Sequence, residues 1–165
     1  MFRIEPIQNM DQEERLKYMN VLLKSQLSSE KDDLANISNA TGIIMACVDR
    51  LNWVGFYILR EDELVLGPFQ GLPACNRIEI GKGVCGTAVK TKKIQLVSDV
   101  HLFPGHIACD SASNSELVIP IIKDDEVYGV LDLDSPEKGR FSELEKKYLV
   151  KFVEILNEYI DWNKI

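Results

Sequence analysis

The sequence predicts an α+β domain in which helices cover a largely antiparallel sheet. Three observations carry that expectation. The chain opens with two amphipathic helical stretches, continues through a strand-rich middle and closes with one more helix. Its strands are joined by short polar turns of hairpin type instead of alternating regularly with helices. With 45% hydrophobic residues over 165 positions it has enough apolar material for one full core, so residues 1–165 are expected to form a single domain. There is no internal repeat, low-complexity tract or linker.

Taken in order, residues 10–28 place Leu16, Met19, Leu23 and Leu27 at helical spacing on an otherwise charged segment. A second helix fits Asp33–Val48, with Leu34, Ile37, Thr41, Ile44 and Val48 along one stripe. Trp53–Leu59 and Glu63–Pro68 flank the polar turn Arg60-Glu61-Asp62 and read as a hairpin. Alternation puts Trp53, Gly55 and Tyr57 on one strand face and Val54, Phe56 and Ile58 on the other. The aromatic pair is either core or a wall for a small ligand, with Gly55 leaving room between the rings. After the loop Gln70–Asn76 come a short strand (Arg77–Ile80), the run Gly81-Lys82-Gly83 and a short helix over Val84–Lys90. Ile94–Ser98 is a short strand, and Asp99–Ser113 has loop composition. Glu116–Lys123 and Glu126–Asp134 make a second hairpin about Asp124-Asp125. The last helix begins at Ser142-Glu143-Leu144-Glu145, a capping box, and shows Leu144, Tyr148, Phe152, Ile155 and Tyr159 as its apolar face.

Composition excludes several functions. The formal net charge is −7, from 26 acidic and 19 basic residues with no basic block, which argues against a nucleic-acid partner. The longest apolar stretches, such as Ile43–Val48 and Leu117–Ile122, are far short of the roughly 18 residues a membrane-spanning helix needs. The first residues, MFRIEPIQNMDQEER, carry acids where a signal peptide has its apolar run. The expected location is the cytoplasm. Cysteines there are seldom structural disulfides, so the four present are either small buried residues or redox or metal groups.

Two glycine- and proline-bearing segments concentrate the chemistry. Residues 67–86 and 98–116 hold Cys75, Cys85 and Cys109 together with both histidines, His101 and His106. The cysteine spacing is neither the CxxC of a redox pair nor that of a zinc ribbon. Cys85 lies near the start of the short helix, whose dipole would favour a thiolate. Cys109 follows His106 by three positions, whereas Cys47, between Ala46 and Val48, reads as core. Asp132 and Asp134 share one strand face, and Glu116 on the partner strand can join them across the ladder. They form either a solvated face or a pocket. His101, His106, Cys109 and Cys85 are also residue types that ligate zinc, although His-x4-His-x2-Cys is a weak signature. The two histidines serve equally well as hydrogen-bonded loop braces. The glycine run lacks the Gly-Lys-Ser/Thr ending of a phosphate loop, since Val84 follows Gly83. A scaffold that pairs through its amphipathic helices would leave the cysteine loops unexplained.

The text GPFQGLPACNRI, GKGVCGTA, SDVHLFPGHIACDSASNSELVIPI and GVLDLDSP followed by Phe141 resembles the free methionine-(R)-sulfoxide reductases, a GAF-domain family. The resemblance implies a roughly six-stranded antiparallel sheet covered by helices, with terminal helices that often pair two subunits as a homodimer. It implies thiol-dependent reduction of free methionine R-sulfoxide, with thioredoxin as reductant and neither cofactor nor metal. By position, Cys109 would attack, and Cys85 and Cys75 would resolve. Glu116, Asp132 and Asp134 would line the pocket, with Trp53 and Tyr57 beside the substrate's methyl and sulfur. The chemistry is self-consistent: a thiolate attacks the sulfoxide sulfur, an acid protonates its oxygen, and the resulting sulfenic acid condenses with a second thiol. The main rival is a GAF-type sensor, but sensors usually work beside an output domain, for which 165 residues leave no room.

Overall fold

Six strands pair antiparallel in one sheet of order β3-β2-β1-β6-β5-β4. They are β1 (Trp53–Arg60), β2 (Glu63–Gln70), β3 (Arg77–Glu79), β4 (Gln95–Val97), β5 (Ser115–Lys123) and β6 (Glu126–Ser135). Four helices accompany them: α1 (Gln12–Ser29), α2 (Asp33–Cys47), α3 (Gly83–Thr91) and α4 (Glu143–Tyr159). These positions come from a computed structural model that describes residues 5–105 and 111–165. His106 and Cys109 lie outside the described residues.

The α+β expectation holds, and each hairpin follows from local chemistry. At the β5–β6 turn Asp124 and Asp125 both take positive φ, 51° and 65°, which suits the right-handed twist of the paired strands and which Asp tolerates better than most residues. α1 and α4 each begin with a complete capping box, Asp11 with Glu14 and Ser142 with Glu145. Each satisfies amides that a helix start leaves open.

The sheet divides the interior in two. One face, with Val54, Phe56, Leu117, Ile119, Leu131 and Leu133, packs under α1, α2 and α4. The opposite face carries Trp53, Tyr57, Val118 and Val130 and is covered by α3 through Val84, Cys85, Ala88 and Val89. β1 therefore alternates as its sequence predicts. Cys47 is core, and burial pushes its thiol up to about 11.

The α2 stripe holds except at its first residue, and the α4 stripe is rotated from the expected one. Leu34 is 57% exposed, whereas Ile37, Thr41, Ile44 and Val48 of the expected α2 stripe are buried, joined by Asn36, Ala40, Ile43 and Cys47. Asn36 is tolerated inside because its amide donates to the Glu30 carbonyl at 3.1 Å and closes the α1–α2 loop. In α4 Tyr159 is 39% exposed, and the buried line is Leu149, Phe152, Val153, Ile155 and Leu156. That rotation brings Glu145 inside, where the buried guanidinium of Arg140 pairs with it. Among the described residues no helix is long and apolar enough to cross a membrane.

Candidate active site

The register of the central strands assembles the acids. Asp134 lies opposite both Trp53 on β1 and Glu116 on β5, and Asp132 lies opposite Gly55 and Val118. Glu116, Asp132 and Asp134 thus share the α3-facing side of the sheet. They are not a solvated face: Glu116 is 6% exposed and Asp132 5%, with Asp134 half-buried. The start of α3 closes over them and sets the Cys85 Sγ 3.8 Å from Glu116 Oε1, its thiol donating.

This enclosure controls the protonation of Glu116, Asp132 and Cys85. Burial, reinforced by the charges of Asp132 and Asp134, pushes the Glu116 carboxyl well above the ordinary carboxylate range. Burial raises Asp132 to about 7, with the Cys85 thiol and the Glu116 carboxyl partly offsetting it. No ion pair of the described residues involves Glu116 or Asp132. A proton shared within the acidic pair is the available compensation. Cys85 is likewise pushed well up, first by burial and then by Asp132 and Glu116. Its position at the start of α3 predicts the opposite, a favoured thiolate. The dipole effect is worth about 1 kcal/mol at a helix start, and burial beside two carboxyls overrides it.

The aromatic residues Trp53 and Tyr57 are buried in the core of this sheet face. Trp53 stacks between Tyr57 and Phe69, with ring centroids 5.9 and 5.5 Å away. The space above Gly55 is occupied by the Trp53 ring, which a Cβ there would meet at 2.5 Å. Gly55 therefore makes room for the indole rather than for a ligand between the rings. The polar ends of both aromatics hold the neighbouring loop: Trp53 Nε1 donates to the Leu72 carbonyl at 3.1 Å, and the Tyr57 hydroxyl to the Cys75 carbonyl at 3.0 Å. Cys75, half-buried in that loop, is disulfide-bonded, while Cys85 and Cys47 carry free thiols.

His101 reads as a brace. Its Nε2 lies 3.0 Å from Asn114 Oδ1, and Asn114 Nδ2 donates to the Pro136 carbonyl at 2.9 Å. Of the rival zinc set offered by the sequence, His106 and Cys109 lie outside the described residues, which leaves His101 and Cys85. Cys85 faces Glu116 and Asp132, and these three form the one group of metal-ligating type among the described residues.

Sequence reasoning missed the support beneath the acids. Arg140 is buried and joins Glu145 to Asp49, its Nη2 donating to the Asp49 carbonyl at 2.8 Å and to Oδ1 at 2.5 Å. Its backbone N–H donates to Ser115 Oγ, which donates on to the Glu137 carbonyl, and Ser135 Oγ donates to the Arg50 carbonyl. These bonds pin the ends of β5 and β6 next to Glu116 and Asp134. The only signal was Glu145, the last residue of the capping box, which serves Arg140 as well.

Comparison with known proteins is consistent with this architecture, since the profile of the GAF domain matches residues 34–160. The chain belongs to the GAF domain family. This GAF domain is 48% identical over 160 residues to Protein YtsP of Bacillus subtilis (strain 168), covering 96% of this chain and 98% of that one. It is 46% identical over 134 residues to the free methionine-R-sulfoxide reductase of Escherichia coli (strain K12), covering 81% of each. Among solved structures, the free methionine-R-sulfoxide reductase from Neisseria meningitidis, in complex with its substrate, superposes with a TM-score of 0.89. That match is 37% identical and covers 94% of this chain and 93% of that one.

Proposed function

We propose that residues 1–165, read as a single GAF domain, reduce free methionine (R)-sulfoxide to methionine. The observation that carries the reading is the buried carboxyl pair Glu116–Asp132 beside the Trp53–Tyr57 wall, on the same side of the sheet as disulfide-bonded Cys75. Likeness to proteins named for this activity supports it.

In the cycle, the Cys109 thiolate attacks the sulfoxide sulfur while a carboxyl, Glu116 or Asp134, delivers a proton to the oxygen. Burial pushes the Glu116 carboxyl well above the ordinary carboxylate range, which suits a proton donor. Methionine leaves and Cys109 retains the oxygen as a sulfenic acid. The Cys75 thiol then displaces that oxygen as water and forms a Cys75–Cys109 disulfide, so two thiols supply the two electrons. A thioredoxin-type dithiol reopens the bond by exchange. The free thiol and raised pKa of Cys85 favour Cys75 as the resolving cysteine, with Cys85 remaining a hydrogen-bond donor to Glu116.

Asp134, half-buried at the rim, and Asp132 receive the substrate ammonium. In the loop 81–86 the Gly81 and Lys82 amides already bond the Gly86 and Glu79 carbonyls. The first-turn amides of α3, for which Lys82 supplies no side-chain cap, are therefore the ones to meet the carboxylate. α1 and α4 pack side by side and are the surface we assign to a homodimer. The reducing environment that this cycle requires is that of the cytoplasm.

The test is a chromatographic assay of the separate R and S epimers of free methionine sulfoxide, with thioredoxin and its reductase. Only the free R epimer should turn over, and N-acetylmethionine sulfoxide should be a poor substrate. No turnover of either epimer overturns the reading in favour of a ligand-sensing GAF domain.

A further inference from the structure

We propose that Cys85, Glu116 and Asp132 form a binding site for a divalent cation of the zinc type, occupied in competition with substrate. Binding goes beyond the reductase reading; only the competition rests on it.

The donors come from three elements that the core holds rigid: Cys85 from α3, Glu116 from β5 and Asp132 from β6. One ligand atom from each lies within 4.8 Å of the other two. A tetrahedral zinc with Zn–S near 2.3 Å and Zn–O near 2.1 Å separates its sulfur and oxygen ligands by about 3.6 Å, and Cys85 Sγ stands 3.8 Å from Glu116 Oε1. Small side-chain adjustments bring the set to coordination distance.

A second observation points to a ligand. Asp132 is 5% exposed, yet its Oδ1 has no hydrogen-bond partner. A buried carboxylate oxygen without a hydrogen-bond partner is rare in folded proteins. Asp132 supplies one of the three ligand atoms of the cluster, and no ion pair of the described residues neutralises Glu116 or Asp132.

The donor types select the ion. Calcium and magnesium call for six or more oxygens, and copper(I) calls for sulfur-rich sites. One thiolate with two carboxylates suits zinc, with a fourth position left for water. On binding, the Cys85 thiol proton and the proton shared by the carboxyls pass to solvent. The same carboxyls can then no longer donate a proton to a sulfoxide or hold an ammonium, so the metal-bound enzyme is inactive.

Cobalt(II) is the probe, added to the oxidised protein. Cys75 is then in its disulfide, and Cys85 and Cys47 keep their thiols. The expected result is saturation at one cobalt per chain with a thiolate-to-cobalt absorption band. The band should be displaced by zinc, lost in Cys85→Ser, kept in Cys47→Ser and weakened at least tenfold in affinity by Glu116→Gln. X-ray absorption of the zinc-loaded wild type should show one sulfur ligand, a readout that needs no variant to fold. No stoichiometric binding, a band that survives Cys85→Ser, or a zinc shell with no sulfur or with several would overturn the site. Metal bound as expected in a protein that reduces neither epimer would leave the site standing and remove the reductase reading.

Discussion

Replacing Asp132 with asparagine removes one of the two ionisable groups of the buried pair while keeping its shape. Burial raises the Asp132 carboxyl from 3.8 to about 7 in the folded chain. The folded state therefore binds a proton that the unfolded chain releases near 3.8. The associated stability is fully present below that value and is lost as pH rises through about 7. A difference between 3.8 and about 7 corresponds to on the order of 4 kcal/mol above pH 8, at 1.36 kcal/mol per pH unit. Glu116 titrates with Asp132, so the quantity belongs to the pair. The substituted amide cannot ionise and escapes this loss. Urea unfolding of wild type and Asp132→Asn at pH 5 and pH 8, without reductant, checks the sign. The variant should gain between about 2 and 4 kcal/mol on the wild type between those pH values. It should also lose turnover, as expected where a strained acidic site serves activity. A stability difference independent of pH, or a variant that falls further behind at pH 8, would refute a raised carboxyl pair.

Two other substitutions test the frame around the pair. Arg140→Ala leaves Glu145 buried without its partner and should destabilise by roughly 3–5 kcal/mol, read from the urea midpoint. Tyr57→Phe removes the 3.0 Å bond to the Cys75 carbonyl. It should lower stability by about 1 kcal/mol and speed proteolytic cleavage within 71–76, where an unchanged cleavage rate would deny the tether.

The hairpins were legible because strand alternation and turn residues act over a few positions. The faces of β1 and β6 were assigned correctly for the same reason, so Trp53 with Tyr57 and Asp132 with Asp134 could be paired from sequence. Helix stripes were less so. Periodicity gives spacing but not the side on which the sheet lies, which is why Leu34 and Tyr159 proved exposed. The acids needed α3 to bury a strand face, a contact between distant parts of the chain. Cys85 shows the limit most clearly. Its helix start is local and visible in sequence, whereas the carboxyls that oppose a thiolate arrive on β5 and β6. Likewise nothing near Arg140 signals Asp49, its partner across the fold.

The most direct test of the account is a single turnover. Fully reduced protein is mixed with free methionine (R)-sulfoxide in the absence of any other thiol, then alkylated and mapped by mass spectrometry. The expected result is about one methionine per chain, a new disulfide joining Cys75 to Cys109, and Cys85 and Cys47 recovered as alkylated thiols. Absence of methionine, or a disulfide that contains Cys85, would contradict it.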